Sequence, residues 1–490
     1  MNTDTKKFFT DADNIAQGIL IAQFLFDPLY DETSKGGIEE ILSDPLKKDF
    51  STKGGAYTLR FWREDFYVWN SGCWKRISDS ELQRIVVTHL QKLNETADSE
   101  QRISIGTHKV RDIILCLKGT VGVTDKVELN SWADGREKIY YTLAMQNGLL
   151  LLDKRNKEKP CLLPHTPKYF NLIKLNYDYD PLAKCELFES FLKQIFENNM
   201  EYVLLIQQWC GYLLRPDLNE QKFLLFVGEG ANGKSVLVYV IIALVGEANC
   251  SHVPLSCFKN RFSLNAMVGK VLNTSIESSS IIEDESETLL KSVVAGDLLT
   301  IDRKFKEAVE VKPTAKIMIA TNALPRFNDH TQGVWRRLLL VPFNKVVPEA
   351  EQEKKLADML KKELPGILNL GIAGLQSLNA AGGFTIPKDM KERIEEYHRD
   401  SDPVRCFLLE NYQPSANGDE IRCGELFKTY TAYCIENGYR SMNIRTFGQQ
   451  VKRCFPQVER CRPGTGNRRD YVYRGITSQA SQVNDIIKCV

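Results

Sequence analysis

The stretch Phe223-Leu-Leu-Phe-Val-Gly-Glu-Gly-Ala-Asn-Gly-Lys-Ser-Val-Leu-Val238 decides the fold. Its first five residues are apolar and predict a buried strand, and the apolar run 236–245 has the length of a helix. Between them, Gly-x-x-x-x-Gly-Lys-Ser has the spacing of a phosphate-binding loop, in which glycines let consecutive backbone N–H groups turn toward a polyphosphate. A chance glycine-rich turn is the alternative, but every fixed position falls at the strand-to-helix junction that phosphate binding requires.

The loop residues divide into a phosphate cradle and two residues with separate tasks. The cradle consists of Gly228, Gly230, Ala231, Asn232 and Gly233. Lys234 can reach the outer phosphates as a catalytic cation, and the hydroxyl of Ser235 can ligate Mg²⁺, while the amino end of the next helix favours negative charge. The stretch therefore predicts a phosphate site that also holds a metal ion.

Length and composition are those of an ordinary globular protein. The 490 residues have room for roughly three domains. The chain is 43% apolar and 26% charged, with a formal net charge of +1. Because the chain as a whole is not cationic, any nucleic-acid surface must be a local concentration of charge.

Thirteen cysteines are scattered along the chain without a Cys-x-x-Cys pair. This spacing favours reduced thiols over a disulfide framework or a zinc module, so we expect no structural metal. The amino terminus lacks the apolar core of a signal peptide, and no run approaches the roughly 20 apolar residues of a membrane span. We therefore expect a cytoplasmic protein that does not bind a membrane.

Strands and helices alternate from residue 221 to about 345, as in a parallel-sheet nucleotide domain, and two further strands end in polar residues. Glu277 follows the strand predicted at 271–276, and Asn322 follows the one at 316–321. At the carboxyl edge of the sheet, Glu277 would hold the Mg²⁺ shell and polarise the attacking water. Asn322 would orient water against the γ-phosphate, although a loop-capping role is the simpler explanation for that residue alone. The acidic run 283–285 is expected to be a solvated turn.

An arginine pair follows the second of these strands. Arg336 and Arg337 precede the apolar run 338–341. Such a pair fits a finger inserted into a neighbouring subunit's site, because a guanidinium group stabilises charge on the transferring phosphoryl group. This interpretation requires an oligomer.

Residues 296–311 predict a hairpin with a basic tip. The tip carries Arg303, Lys304 and Lys306 around Phe305. In a ring such tips point into the central channel, where the cations would track a phosphate backbone. A charged surface turn is the simpler interpretation of this segment taken alone.

The segment 1–130 predicts an N-terminal α+β domain. Two aromatic-rich strands within 57–62 and 66–75 form a hairpin through the turn Glu64-Asp65, with Asn70-Ser71-Gly72 ending the second strand, and Ser78 caps a helix. The aromatic residues of the hairpin could stack on bases, but cross-strand packing is the favoured interpretation. No primase active site is found here. Residues 131–220 then predict a helical collar or connector. In it the Asn147-Gly148 turn leads into an apolar strand, and apolar residues after 188 recur at helical spacing.

In order and spacing these motifs resemble the superfamily 3 helicases, specifically the helicase part of phage and plasmid primase-helicases related to the poxvirus primase-helicase. The resemblance covers about residues 130–475. It implies an AAA+ core, hexameric rings, ATP and Mg²⁺ as ligands, ATP hydrolysis between subunits, and 3′ to 5′ movement on single-stranded DNA. Lys234 and Ser235 would bind phosphate and Mg²⁺, Glu277 would be the Walker B acid, Asn322 sensor 1, and Arg336 or Arg337 the finger.

By the same resemblance, Lys304 and Lys306 would be the channel residues. Two departures from the family pattern matter. Many members carry paired Walker B acids where this chain has Ile276-Glu277, so the resemblance supplies a single acid here and does not assign the catalytic base. The primase domain that often leads such proteins is absent, so a separate primase or polymerase is an expected partner.

The nucleotide domain is assigned to residues 221–400. Its last part, 350–400, is predicted to be helical, and 387–402 is predicted to be a charged linker to the next domain. Residues 403–476 predict three helices and a glycine-rich hairpin, the pattern of a winged helix. The hairpin and third helix are rich in cations, among them Arg445, Lys452, Arg453, Arg468 and Arg469. This surface would bind duplex DNA, with a solvated charged face as the alternative. Residues 477–490 form a tail.

The sequence therefore predicts a ring-forming, ATP-driven replicative DNA helicase of a phage, plasmid or integrated element. Its DNA partners would be single-stranded and forked DNA. The winged helix makes origin duplex DNA a further candidate partner. Two alternatives stay open: an initiator in which ATP controls assembly without processive unwinding, and an ATPase whose ring loads another protein.

Overall fold

The computed structural model describes residues 59–70, 72–95, 102, 104–124, 127, 129–132, 140–155, 158–277, 282–303, 306–327, 332–348, 353, 355–415, 417–439, 441–462 and 471–479. Within these residues, no helix is long and apolar enough to cross a bilayer.

The described part of the N-terminal segment, which begins at residue 59, contains a three-stranded antiparallel sheet packed against two helices. The elements are β1 Leu59–Trp62, β2 Asp65–Asn70, β3 Cys73–Ile77, α1 Asp79–Glu95 and α2 Thr107–Thr120. The predicted cap of α1 is present, because Glu81 N donates to Ser78 Oγ at 3.2 Å.

The first hairpin turns one residue earlier than predicted. Arg63 and Glu64 both take positive φ angles, 47° and 63°, and Asp65 is already the first residue of β2, paired with Arg76 at 3.0 Å. The predicted aromatic packing is confirmed, since Trp62, Tyr67 and Trp74 all lie edge-on against the ring of Phe170.

The segment predicted as a helical connector is half β-structure, which corrects that prediction. It contains β4 Ser131–Trp132, β5 Tyr140–Ala144, β6 Leu149–Asp153, β7 Cys161–Leu163 and β8 Tyr169–Phe170 before the helices α3 Glu186–Ile195 and α4 Met200–Leu213. Strand β6 is buried on both faces: Leu150 belongs to the main core and Leu151 to a smaller one. The apolar strand predicted after the Asn147-Gly148 turn is thus confirmed as β6.

The centre of the protein is a parallel five-stranded sheet. In chain order the elements are β9 Phe223–Val227, α5 Lys234–Val245, β10 Cys250–Ser251, α6 Arg261–Leu264, β11 Leu272–Glu277, α7 Asp284–Ala295, β12 Leu299–Arg303, β13 Lys306–Val311, β14 Lys316–Thr321 and β15 Leu338–Pro342. The order of the strands in the sheet is β10-β11-β14-β9-β15. The predicted α/β class is confirmed, with a sheet compatible with a phosphate-loop NTPase core. Asp284 and Glu285 are not in a turn as predicted but begin α7, where the helix dipole favours acidic side chains.

Three helices follow the sheet: α8 Leu356–Lys361, α9 Leu364–Ala381 and α10 Lys388–Asp400. Helices α9 and α4 meet so closely that a Cβ on Gly374 would lie 2.0 Å from Gln207 O. The expected charged linker at 387–402 is instead the helix α10, with Met390 and Tyr397 buried. Its high charge density obscured an apolar stripe at helical spacing.

The C-terminal segment has its own core, built around Phe407, Tyr430 and Phe447. Its elements are α11 Pro403–Asn411, β16 Tyr412–Pro414, β17 Glu420–Arg422, α12 Cys423–Glu436, α13 Ile444–Cys454, β18 Glu459–Cys461, β19 Val472–Arg474 and β20 Ile476–Ser478. Strands β17, β19 and β18 form one antiparallel sheet, and β16 pairs with β20. The three predicted helices and the strand pair are present, and β16, β17 and β20 are additional.

Candidate nucleotide and nucleic-acid sites

The carboxyl ends of three adjacent strands lie in one row. Glu277 on β11 pairs with Thr321 on β14, and Thr321 pairs with Val227, the last residue before the glycine-rich loop. Neighbouring strands are about 4.8 Å apart, so the main chain at Glu277 lies about 10 Å from the start of the loop. The register therefore places the predicted acid at the loop's edge of the sheet, and the role of its side chain stays a prediction.

Lys234 joins the loop to the adjacent strand end. Its Nζ donates to Gly228 O at 2.8 Å, to Thr321 O at 2.5 Å and to Asn322 Oδ1 at 2.8 Å. Burial lowers the pKa of this ammonium group, because desolvation penalises its charged form. The predicted catalytic cation and the predicted sensor are thus in direct contact.

The loop conformation depends on residues that tolerate left-handed backbone. Gly230, Ala231 and Gly233 take φ angles of 117°, 49° and 81°. At Gly228 the constraint is space, because a Cβ there would lie 2.3 Å from the side-chain nitrogen of Asn232 and 2.6 Å from Phe343 O. Glycine is therefore required at 228 by contact and at 230 and 233 by backbone angle.

The segment after β15 braces the loop, which the sequence did not reveal. Asn232 Nδ2 donates to Phe343 O at 3.2 Å, and Val347 N donates to Ala231 O at 2.7 Å. Asn232 is buried and its Oδ1 accepts from Lys234 N at 3.3 Å. The only sequence signal was an asparagine inside the motif, so its partner could not be inferred.

The donor set fits a nucleoside triphosphate with Mg²⁺. Gly228 has no side chain to obstruct the phosphates, Lys234 supplies a buried cation, and Ser235 is exposed at the first turn of α5. Amide groups at a helix amino end and a loop hydroxyl are the groups that hold phosphate and Mg²⁺ in such loops.

The two arginines of the predicted finger have different environments. Arg336 is exposed, whereas Arg337 is buried and its Nη1 donates to Gly333 O at 2.7 Å. Both lie in the short 3₁₀ helix Trp335–Arg337, which leads into β15. Since Leu338 pairs with Phe223, the first residue of β9, the arginines lie at the edge of the sheet opposite the loop, about 13 Å away along β9.

The predicted basic hairpin is present as β12 and β13, and Arg303 pairs with Lys306 where the strands meet its tip. Lys304 and Phe305 lie outside the described residues. The side of the hairpin touches the N-terminal sheet, because Arg63 Nη1 donates to Glu310 O at 3.4 Å.

The third C-terminal helix presents its cations to solvent. Asn443 caps α13 by accepting from Thr446 N at 2.9 Å, and Phe447 and Val451 face the core. Arg445, Lys452 and Arg453 are exposed, the first two seven residues apart on one face. Arg468 and Arg469 lie outside the described residues.

A cluster of one tyrosine and two arginines in the C-terminal segment could not be predicted from the sequence. The guanidinium groups of Arg460 and Arg462 lie 4.3 and 4.9 Å from the ring centre of Tyr471. An isolated tyrosine among arginines carries no signal of this pairing.

Three family models match parts of the chain. Residues 62–197 match a "D5 N terminal like" family, residues 226–337 match a family of unknown function (DUF5906), and residues 403–480 match the RFX DNA-binding domain. The second match contains the glycine-rich loop, and the third contains the basic C-terminal helix.

Curated relatives are viral proteins named as helicases or as an initiator. The chain is 30% identical over 185 residues to the "Putative helicase L207/L206" of Acanthamoeba polyphaga mimivirus, covering 36% of this chain and 19% of that protein. It is 23% identical to the "Initiator protein NS1" of Hamster parvovirus H1, covering 38% and 28%. It is also 23% identical to the "Putative helicase 022R" of Frog virus 3, covering 48% and 26%. The chain spans less than a third of the length of each of these relatives.

A solved structure, the apo C-terminal region of NrS-1, aligns with 86% of this chain and 95% of its own length, with 14% identity and a TM-score of 0.49. A likeness at this level carries no argument about activity. The sequence matches support a relationship to viral proteins named as putative helicases and initiators, with a C-terminal segment similar to the RFX DNA-binding domain.

Proposed function

We propose that the protein is an ATP-dependent DNA helicase that unwinds DNA during the replication of a phage, plasmid or other mobile element. The observation that carries the proposal is the position of the Lys234 ammonium group between Gly228 O, Thr321 O and Asn322 Oδ1. This arrangement joins the loop to the adjacent strand end, which is where an NTPase must sense the outer phosphate. The similarity to viral helicases supports the same conclusion.

ATP and Mg²⁺ would be held by the loop. Its backbone amides, from Gly228 to Gly233, would cradle the phosphates, and Lys234 would neutralise the outer ones. The Ser235 hydroxyl and the Glu277 carboxylate would hold the Mg²⁺, which supplies charge neutralisation at the phosphates. Asn322 would orient the attacking water.

The proposed oligomer is a homo-oligomeric ring with an AAA+ core, hexameric by resemblance. Arg336 supports this proposal, because it is exposed and lies at the edge of the sheet away from its own loop. An arginine so placed would stabilise the transition state in a neighbouring subunit and not in its own.

The hairpin of β12 and β13 would contact single-stranded DNA through Arg303, Lys304 and Lys306. By resemblance, the ring would move along this strand in the 3′ to 5′ direction. The C-terminal segment would bind duplex or forked DNA through Arg445, Lys452 and Arg453, in the manner of a winged helix, with Arg468 and Arg469 in its hairpin. The match to the RFX DNA-binding domain supports this second site.

Strand displacement on forked DNA with ATP tests the proposal. We expect the wild type to unwind the fork and Lys234→Ala neither to hydrolyse ATP nor to unwind. A wild type that hydrolyses ATP and binds DNA but displaces no strand under any ATP or salt condition would contradict the helicase function.

The second candidate function is an ATP-regulated initiator or loader without processive unwinding. The similarity to a parvovirus initiator protein and the DNA-binding C-terminal segment favour it. The hairpin discriminates between the two: for a motor, Lys304→Ala and Lys306→Ala abolish unwinding and leave duplex binding intact. Lys312→Ala, an exposed lysine just after β13, is the matched control and keeps full unwinding.

A further inference from the structure

An aromatic cluster holds the segment that carries Arg336. Trp335, the residue before it, is buried, and its ring lies edge-on to Phe327 at 6.0 Å and to Tyr397 at 5.0 Å. The ring of His398 lies 4.6 Å from the same indole. Because such pairs prefer particular orientations, helix α10 fixes the direction of the backbone that presents Arg336.

Tyr397 also touches the segment that leaves the nucleotide site. Its hydroxyl donates to Pro325 O, and its ring packs on Phe327 at 6.3 Å. Pro325 lies three residues after Asn322. The buried Tyr397 therefore contacts both the segment that follows Asn322 and Trp335, the residue before Arg336.

The same helix runs directly into the C-terminal segment. Ser401 N donates to Tyr397 O at 3.0 Å. The carboxylate of Asp402 caps the start of α11, because it accepts from Val404 N at 3.0 Å and from Arg405 N at 3.1 Å. Only Ser401 and Asp402 separate α10 from α11, and both are hydrogen-bonded. The connection is thus short and ordered.

A second contact joins the two units at the same cluster. The guanidinium group of Arg326 lies 4.6 Å from the ring centre of Tyr439, which follows α12. Arg326 lies between Pro325 and Phe327, the two residues that contact Tyr397. Tyr439 is itself fixed, because it stacks on Tyr433 and its N donates to Cys434 O at 2.7 Å.

We propose that α10 and the Arg326–Tyr439 contact couple DNA binding by the C-terminal segment to the position of Arg336, so that bound duplex changes ATP hydrolysis at the neighbouring subunit. Tyr397 and Trp335 are positioning residues in this scheme. The inference rests on the proposed function, since it needs ATP hydrolysis between subunits. It adds a regulatory ligand, duplex DNA, and a route by which that ligand acts.

Coupling requires that a displacement at one end change contacts at the other. Helix α10, through Tyr397, and Tyr439 both contact residues 325–327, which follow Asn322. A shift of the C-terminal segment would therefore change the contacts of these residues. Packed side chains transmit such shifts because interiors have little free volume. Allosteric couplings between sites typically reach about 5- to 150-fold.

ATP hydrolysis by the full chain, measured with and without saturating duplex DNA, tests the inference. We expect duplex to change the wild-type rate, and Arg326→Ala and Tyr439→Leu each to bring the ratio of the two rates close to one. The rate without duplex and the affinity for duplex should stay at wild-type values. The double variant should behave like either single variant, because both remove one contact. Lys391→Ala, which removes an exposed cation from α10, is the control and keeps the wild-type ratio.

Tyr397→Phe gives an independent test, because it keeps the ring and removes only the hydrogen bond to Pro325 O. It should also bring the ratio of the two rates closer to one while the variant stays folded by circular dichroism. If the wild type hydrolyses ATP without any response to duplex, or if all three variants keep its ratio, the coupling is overturned and the helicase proposal survives. If the wild type does not hydrolyse ATP, the proposed function and the coupling both fail.

Discussion

The side-chain oxygen of Asn322 accepts a hydrogen bond of 2.8 Å from the ammonium group of Lys234, a residue 88 positions away in the chain. The contact forms because β14 and β9 are neighbours in a parallel sheet, which brings the residues after both strands to one edge. Asn322 alone could have been a loop cap, but its contact with the loop lysine makes a role in phosphate sensing the better interpretation.

Replacing Asn322 should slow ATP hydrolysis more than it weakens ATP binding. In Asn322→Ala, Lys234 keeps Gly228 O and Thr321 O as partners, so the loop stays formed. Loss of a group that orients the reacting atoms typically costs about 10²-fold in kcat. Steady-state kinetics should show this fall with little change in KM, and Asn437→Ala, an exposed asparagine after α12, should behave as wild type. An unchanged kcat would remove Asn322 from the mechanism.

Gly228→Ala should abolish nucleotide binding. The new methyl group would meet Asn232 at 2.3 Å and the main chain at Phe343 O at 2.6 Å, so the loop must move off its brace. Calorimetric titration with ATP measures the loss. Gly424→Ala is the matched control, because nothing lies within 4 Å of the position that its added methyl group would take. Normal ATP affinity in Gly228→Ala would show that the contact between the loop and Phe343 is dispensable.

Arg336→Ala and Lys234→Ala should complement each other. Each variant alone should lose ATP hydrolysis, by about 10³-fold or more for a finger. In mixed oligomers, an Arg336→Ala subunit keeps an intact loop that can receive the finger of a Lys234→Ala subunit, so hydrolysis returns. No recovery in mixtures that demonstrably exchange subunits would exclude a finger that acts between subunits.

Arg337→Ala should instead lower stability, since its buried Nη1 donates to Gly333 O. Thermal unfolding compared with Arg336→Ala measures the difference. Equal melting temperatures for the two variants would contradict the separate roles.

Lys316 should make stability depend on pH. Burial lowers its pKa from 10.5 to about 7, although its Nζ donates to Arg215 O. The unfolded chain holds the proton up to pH 10.5 while the folded chain releases it above about pH 7. The cost of burying the charge is therefore absent above pH 10.5, grows as the pH falls, and is complete below about pH 7, where it is on the order of 5 kcal/mol.

Lys316→Met removes this cost. The free energy of unfolding of the variant minus that of the wild type should be most positive at about pH 6 to 7 and should decline toward about pH 10. Denaturant titrations across this range measure it, with Lys312→Met, an exposed lysine, as control. A difference that does not change with pH would mean that Lys316 titrates normally in the fold.

Gly374→Ala should destabilise the protein by about 1–3 kcal/mol through overpacking. The added methyl group would lie 2.0 Å from Gln207 O, so α9 must move away from α4. Thermal unfolding should show the loss, whereas Gly119→Ala at the end of α2, with nothing within 4 Å, should be nearly neutral. Equal stability of both variants would show that the two helices separate without cost.

The local elements of the nucleotide domain could be predicted because their signals are short-range. The apolar strand, the glycine spacing and the helix after Lys234 are contiguous, and each polar strand end followed an apolar run. Where charge hid the periodicity, prediction was wrong: the expected charged linker at 387–402 is largely the helix Lys388–Asp400. The turn Asn147-Gly148 did predict the strand β6, whereas the other strands described in the connector were missed.

The sequence by itself determined the α/β class, the strand–loop–helix unit at Phe223–Val245 and which residues are candidates for phosphate binding, because these follow from neighbouring residues and backbone freedom. Only the tertiary structure decided that Lys234 meets Asn322, that Phe343 braces the loop, that Arg336 is exposed while Arg337 is buried, and that Tyr397 joins these parts. Such contacts depend on strand order and on packing between distant segments, which no local pattern encodes.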